Sequence, residues 1–351
     1  GNKLASLREL VDTPLQIISF GEDNAGELYV FDYAGGLYQL EPNTAPSTHL
    51  AFPRKLSETG LFDSVRHHIP APGVIPFLIN AEAWADHALA ERFVALPENS
   101  VIQTGATNVW LYQSKNEWRY PTNAVLAKTL YLEMKRGRNP DARRVETQVL
   151  HYDGLDWRAY SYRWNEEQTD ASLVDAAGDE RTFEIKDPSA PGGRRHHTWR
   201  FQGRSECLRC HNPWVNFALA FTAPQLNREV QYQGNHPVCG SLPVQMKPSP
   251  WLSEAVIRDN QLRTFSHLGF FDQPLDERAR PKFTDPYATE PGADRNERAR
   301  SWLHVNCAHC HREGAGGAVV SHFDYDTKLA EMKAVGRAPS QGALGLAGGH
   351  V

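Results

Sequence analysis

The sequence predicts an α+β, multidomain chain: a short β-meander first, a β-rich antiparallel domain next, and a small all-α domain last. Three observations lead there. Residues 15–41 hold three short apolar runs separated by turn residues. Between Trp118 and Trp164, apolar and polar residues alternate with period two and are rich in β-branched and aromatic types, as half-buried antiparallel strands require. Beyond Pro250 the signals become helical, over Pro250–Leu268, Asp294–Asn306 and Asp326–Val335. A length of 351 residues suits two or three domains. No apolar run approaches the roughly 18 residues of a transmembrane helix, so no transmembrane segment is expected. The net charge of −5 is spread without long basic blocks, which argues against a nucleic-acid partner.

The first strands are expected over Leu15–Phe20, Glu27–Asp32 and Leu37–Glu41, with turns at Asp23–Gly26 and Ala34–Gly36. Three meandering strands cannot bury a face alone. This segment, residues 1–45, is followed by a linker over 46–59. The β-rich domain is expected over 60–225, with strands at Trp118–Tyr120, Ala124–Glu133, Val145–Tyr152 and Trp157–Trp164 and a turn at Arg136–Asp141. A connecting segment, 226–290, carries one helix that Ser249 could cap and Gly269 could end. The last domain, 291–351, opens with a helix whose apolar seam is Ala299, Trp302, Leu303 and Val305, leaving Arg295, Glu297, Arg298 and Arg300 for water.

That helix runs into Cys307-Ala308-His309-Cys310-His311, and about a hundred residues earlier stands Cys207-Leu208-Arg209-Cys210-His211. Cys-x-x-Cys-His is the attachment site of c-type haem. The two thiols reach the two vinyl groups of one porphyrin, and the adjacent imidazole turns to the iron as axial ligand. With 5 Cys and 15 His in 351 residues, a single accidental match has a probability of about 0.003. The alternative is a pair of Cys-x-x-Cys half-sites around one zinc, which requires no His after each second Cys. The expected cofactors are therefore two covalently bound haem c, held by Cys207, Cys210, His211, Cys307, Cys310 and His311, with His211 and His311 as axial iron ligands. Cys239 stands outside both motifs and is expected to be a buried thiol, the alternative being an intermolecular partner.

Three resemblances follow from particular words. Ile18-Ser19-Phe20-Gly21-Glu22-Asp23-Asn24-Ala25-Gly26-Glu27-Leu28-Tyr29-Val30 resembles the last blade of soluble glucose and sorbosone dehydrogenases, quinoprotein β-propellers; it implies a propeller remnant here, with any pyrroloquinoline quinone (PQQ) site upstream of Gly1. Trp118–Lys128 and Trp157–Tyr162, followed by a terminal Cys-x-x-Cys-His, resemble the β-sheet cytochromes of the cytochrome c′-beta superfamily. One branch of those oxidises hydroxylamine with a haem cross-linked to lysine, and on that pattern Lys128 could be the lysine; otherwise it is a strand lysine with its ammonium in solvent. From Leu56 onward, Leu56–Phe62, Glu91–Pro97, Val145–Leu150, Trp164–Ala171, Gln225–Arg228 and Glu297–Leu303 are similar to a family of bacterial dihaem c-type cytochromes. That similarity implies two haems and export but supplies no substrate. The chain departs from it at Pro213-Trp214-Val215-Asn216, where relatives tend to carry small residues.

A helix, Cys-x-x-Cys-His and the Gly-rich loop Gly314–Gly317 open like a small cytochrome c, which makes the last domain a cytochrome c-like one. That fold commonly supplies a distal Met; Met332 is the only Met after His311 and is the candidate, with core packing as its default role. For the first haem, His196, His197 and Met246 are near in sequence, while His309 is expected at the surface. Because haem c is attached after export, a periplasmic or otherwise extracytoplasmic location is expected, with an export signal removed or upstream and further sequence beyond Val351. The functional expectation is a dihaem cytochrome passing electrons between periplasmic redox partners, the donor being a fused or partner quinoprotein sugar or alcohol dehydrogenase. The alternative is a haem enzyme acting on nitric oxide, hydroxylamine or peroxide at the first haem.

Overall fold

The computed structural model describes residues 13, 15, 17–33, 35–42, 52–105, 118–137, 142–233, 236–237, 256–278, 280–315 and 320–338. The chain divides into two compact units, Gly1–Arg54 and Lys55–Val351.

In the first unit, β1 (Ile17–Glu22), β2 (Leu28–Asp32) and β3 (Leu37–Gln39) form an antiparallel meander. The β1–β2 turn is fixed by Asp23, whose Oδ1 accepts from the amides of Ala25 and Glu27 at 2.8 and 3.0 Å. Three strands leave their apolar side chains open: Ile18, Phe20 and Leu37 are exposed and Val30 is buried.

The second unit is built on one sheet. After β4 (Phe62–Ser64) and β5 (Ile69–Pro70), the strands β6 (Val74–Phe77), β7 (Leu89–Ala95), β8 (Val125–Glu133), β9 (Ala142–Tyr152), β10 (Trp157–Trp164) and β11 (Ala171–Leu173) pair in sequence order, each antiparallel to the next. A hairpin of β12 (Asp179–Lys186) and β13 (Arg194–Phe201) follows. The period-two signal thus gave three central strands correctly, but Trp118–Tyr120 is no strand. Arg119 makes an isolated bridge to Gln103, outside any strand.

One face of the sheet is apolar at both ends. Leu126, Leu150 and Ala159, adjacent in register, join an aromatic cluster with Phe77, Trp118, Trp157, Phe221, Phe265 and Phe271. Edge-to-face pairs such as Phe77–Phe221 at 5.0 Å and Phe265–Phe270 at 4.8 Å each add ~0.5–1.5 kcal/mol to area burial. Leu130, Leu132, Val145, Trp199 and Phe201 form a second cluster. The opposite face is closed by a buried network in which His68 bonds Thr129 at 2.9 Å and pairs with Glu91 at 2.7 Å.

Past β13 the structure corrects the expected all-α domain. The described residues there hold the short helices α1 (Arg204–Cys207) and α2 (Ala223–Leu226), strands β14 (Glu229–Gln233), β15 (His236–Pro237) and β16 (Val256–Asn260), then α3 (Gln261–His267) and α4 (Arg295–Cys307). The unit is β-rich and mostly antiparallel, and no small all-α cytochrome domain forms among these residues. Two local causes are visible. The helix expected over Pro250–Leu268 is a strand at Val256–Asn260 because that stretch pairs in register with β14; the helix starts only at Gln261, capped by Asn260 rather than Ser249, whose position lies outside the described residues. The helix expected over Asp326–Val335 is a run of isolated turns, broken where Lys333 takes a φ of 51°. By contrast α4 spans the expected stretch, with Asp294 as its cap accepting from the Asn296 amide at 2.8 Å.

Candidate functional site

Both Cys-x-x-Cys-His motifs lie in the second unit, each at a helix end: α1 ends at Cys207 and α4 at Cys307. The four thiols are free and half-buried. Cys207 packs on the aromatic cluster, and burial pushes its thiol up to about 12.

The loop after the first motif is shaped around His211. Residues 213–215 make a 3-10 turn, and Asn216 and Phe217 then take left-handed backbone angles, φ 53° and 59°. For non-glycine residues each such angle costs ~1–3 kcal/mol and is kept only where the surroundings impose it. The Phe217 amide is tied to Asn212 O at 3.0 Å, and the Asn216 side chain donates to Trp118 O. The result is a Phe217 carbonyl 2.6 Å from His211 Nδ1. A carbonyl can only accept, so Nδ1 carries the proton and Nε2 presents its lone pair, the arrangement used by metal-ligating histidines. Burial holds this imidazole down at about 4, with the charges of Lys128 and His309 also felt there. The Pro213–Asn216 departure therefore builds the turn that fixes the ring.

Facing this motif, the sheet interrupts its apolar face with a polar row. Arg92, Lys128, Gln148 and Ser161 are direct partners across β7, β8, β9 and β10. Glu146, two residues from Gln148, is wholly buried; its carboxylate accepts from Ser161 at 2.6 Å and Trp199 at 2.9 Å, and burial raises its pKa. Arg92 is paired with Glu82. Lys128 is half-buried, not in solvent, and burial together with Arg92 brings its ammonium down to about 8. Charged residues at alternate positions of otherwise apolar strands were the sequence signal for this row.

At the second motif, the inward side of α4 is polar. Ser301 is its buried residue and accepts from the Thr284 amide at 3.0 Å; Arg298 donates to Pro286 O and Arg300 to Tyr325 O. The expected apolar seam is not inside: Ala299 and Trp302 are exposed and Leu303 and Val305 half-buried. Ala299, Leu303 and Cys307 are spaced i, i+4, i+8 and lie on one helix face, so the seam leads straight to a thiol. His311 stacks on Phe323 at 4.9 Å, and its Nδ1 is buried with no hydrogen-bond partner among the described protein atoms. Fixed tautomer at one motif, orphaned ring nitrogen and a partly uncovered apolar seam at the other, and four free thiols together fit haem c.

The remaining expected ligands fall elsewhere. Met332 is buried, its sulfur 3.8 Å from Arg300 Nη1, on a turn rather than a helix. His309, expected at the surface, is half-buried, and its Nδ1 has no hydrogen-bond partner among the described atoms. His197 is paired with Asp86 at 3.1 Å and His196 is exposed. Cys239 and Met246 lie outside the described residues. Among the described residues, no three of His, Cys, Asp and Glu gather where they could hold a metal ion, whereas a structural zinc needs four donors on one point.

The motifs, separated by about a hundred residues, touch. Asn212 Nδ2 donates to His309 O at 3.1 Å, Arg312 Nη1 donates to Trp214 O at 3.1 Å, and Cys310 Sγ lies 3.7 Å from Arg209 O. A cavity of about 330 Å³ lies beside the contact, walled by Trp118, Val215 and Ala218 from the first side and His309, Arg312 and Tyr325 from the second. Another, of about 800 Å³, opens between the β6–β7 connection and residues 282–287. Of the motif Cys and His residues, His309 lines the smaller cavity, and the six expected to attach or ligate haem line neither. Among the described residues no helix is long and apolar enough to cross a membrane. Comparison with protein-family models gives no match, and no characterised protein and no solved structure is significantly similar to the chain.

Proposed function

We propose that this chain is a dihaem c-type cytochrome whose work is electron transfer. The observation that carries this reading is the strained Asn216–Phe217 turn, which spends backbone energy to hold His211 in the tautomer that offers Nε2 to iron. Cys207 with Cys210, and Cys307 with Cys310, would each add their S–H bonds across the vinyl groups of one porphyrin. Haem supplies a one-electron change of iron valence, tuned by axial ligands and burial. The chain's own residues then have three tasks. His211 and His311 ligate, the aromatic cluster and the α4 seam exclude water, and Phe217 O keeps the first imidazole from turning. Because haem c is attached after export, this reading carries with it a periplasmic or other extracytoplasmic location. The amino-terminal resemblance makes a quinoprotein sugar or alcohol dehydrogenase, fused or separate, the electron donor, with PQQ bound outside this chain's residues.

A second reading, catalysis on nitric oxide, hydroxylamine or peroxide at the first haem, draws support from the polar row. Lys128 and Glu146 are titratable groups with shifted protonation on the wall facing His211, as general acids and bases are.

Visible spectra of the protein matured with covalent haem, oxidised and reduced, with and without carbon monoxide, test both. Two covalent haems per chain are expected. A colourless, zinc-containing protein refutes the proposal. Two haems unmoved by carbon monoxide favour electron transfer alone, and one that binds it turns the reading to catalysis.

A further inference from the structure

Two side chains, Asn212 and Arg312, supply nitrogen donors to the contact between the motifs. Asn212 follows the first axial histidine and is buried, and its Nδ2 donates both to Arg209 O of its own motif at 3.0 Å and to His309 O of the other at 3.1 Å. Its backbone carbonyl receives the amides of Val215 and Phe217, so the residue that reaches the second motif also anchors the turn that orients His211. Arg312 follows the second axial histidine. Its Nε donates to Ala308 O at 2.6 Å, one Nη to Trp214 O at 3.1 Å, and the other is paired with buried Asp324 at 2.9 Å. Each loop therefore begins, immediately after its histidine, with a residue bonded to the other loop.

We infer that Asn212 and Arg312 are positioning residues that lock the two haem-attachment loops into one redox unit, so that the oxidation state of one haem is felt at the other. This rests on the dihaem reading above. Buried, charge-assisted bonds fix geometry better than exposed ones, and in a low-dielectric interior a charge added at one site acts strongly on its neighbour. With haem held at both motifs, an electron accepted at one site from a one-electron donor would pass to the other without any proton or bond change, and the task of Asn212 and Arg312 would be to keep the spacing of the two sites fixed.

The test uses the full chain with haem attached. Covalent haem is counted from the alkaline pyridine spectrum, coupling is read as a Soret circular-dichroism couplet, and potentials come from dithionite titration. The wild-type protein should show two haems, a couplet, and a tenfold change in the electron affinity of one haem with the state of the other, about 59 mV for one electron. Asn212→Leu and Arg312→Leu should keep two haems and lose most of the couplet and of that shift, and Arg312→Lys should restore part. The Cys207→Ala, Cys210→Ala double variant should move the potential of the remaining haem, which keeps the inference testable if the leucine variants misfold. Two haems with no couplet and independent potentials would overturn the inference and leave the dihaem reading standing; fewer than two covalent haems in the wild type would overturn both.

Discussion

Glu146 sits with no exposed surface in the middle of β9, and its replacement separates two costs that usually travel together. The carboxylate accepts from Ser161 Oγ, Trp199 Nε1 and Gln148 Nε2 at 2.6, 2.9 and 3.2 Å. In Glu146→Leu the Ser161 hydroxyl and Trp199 indole N–H lose their acceptor inside the fold. At ~1–3 kcal/mol for each buried unsatisfied group, the loss is ~2–6 kcal/mol. Glu146→Gln keeps an acceptor oxygen, and the serine hydroxyl can turn to accept from the new amide, so one bond is lost, ~0.5–1.5 kcal/mol. The variants also differ in pH dependence. Burial raises the folded carboxyl above its ordinary value, so the folded state holds a proton that the unfolded chain releases. That contribution is complete below the unfolded value and disappears as pH rises through the folded one. The stability gap between wild type and Glu146→Gln should therefore narrow, or change sign, from pH 4.5 to pH 8. Urea midpoints followed by tryptophan fluorescence at several pH values measure this; comparing midpoints avoids assuming that a two-unit protein unfolds in one step. A constant gap across that range, or a leucine variant as stable as the glutamine one, would refute the reasoning.

Three further outcomes are expected. The Lys128 amine, followed by NMR after reductive ¹³C-methylation, should titrate near 8; because a depressed lysine costs stability as pH falls from 10.5 toward 8, Lys128→Met should gain up to ~3 kcal/mol at neutral pH, and a titration near 10.5 would contradict its burial. Gly178 has a φ of +80°, and a Cβ there would stand 2.5 Å from Phe201 O and 2.8 Å from Gly203 N. Gly178→Ala should thus destabilise the turn that supports α1 by ~2 kcal/mol or more, and an unchanged melting temperature would refute the close approach. Removing the α4 cap with Asp294→Ala should cost ~1 kcal/mol in urea unfolding, whereas Asp294→Ser or Asp294→Asn should restore most of it.

Periodicity found the strands of the central meander because their neighbours in space are their neighbours in sequence, so local pattern and tertiary pairing agree. It failed at Val256–Asn260, whose partner β14 lies more than twenty residues away, and at 326–335, where Lys333 interrupts a helix-permitting composition. The motif residues themselves were legible from their spacing. Their surroundings were not, since the Phe217 carbonyl that orients His211 is a backbone atom delivered by two left-handed residues, and no side-chain pattern announces it. Lys128 was visible only as an odd residue in a strand. Its register with Arg92 and Gln148 is what turns it from a solvent lysine into part of a polar wall.

The seam on α4 links these points. Read as sequence, Ala299, Trp302 and Leu303 promise a helix packed into an all-α domain; in the structure the polar side of the helix is the one the protein covers, through Ser301, Arg298 and Arg300. A helix whose one fully buried residue is Ser301 while Ala299 and Trp302 stay exposed departs from the usual arrangement. The departure makes sense if the apolar face is completed by a flat hydrophobic group anchored at Cys307 and Cys310, in which case that group is part of the core. On this view the second attachment site needs no domain of its own. It takes one wall from α4, a floor from 321–325 through Phe323 against His311, and its anchorage from the first motif through Asn212 and Arg312. The sheet-based unit can then carry two sites where the sequence suggests two domains, and disturbing either loop should be felt at the other.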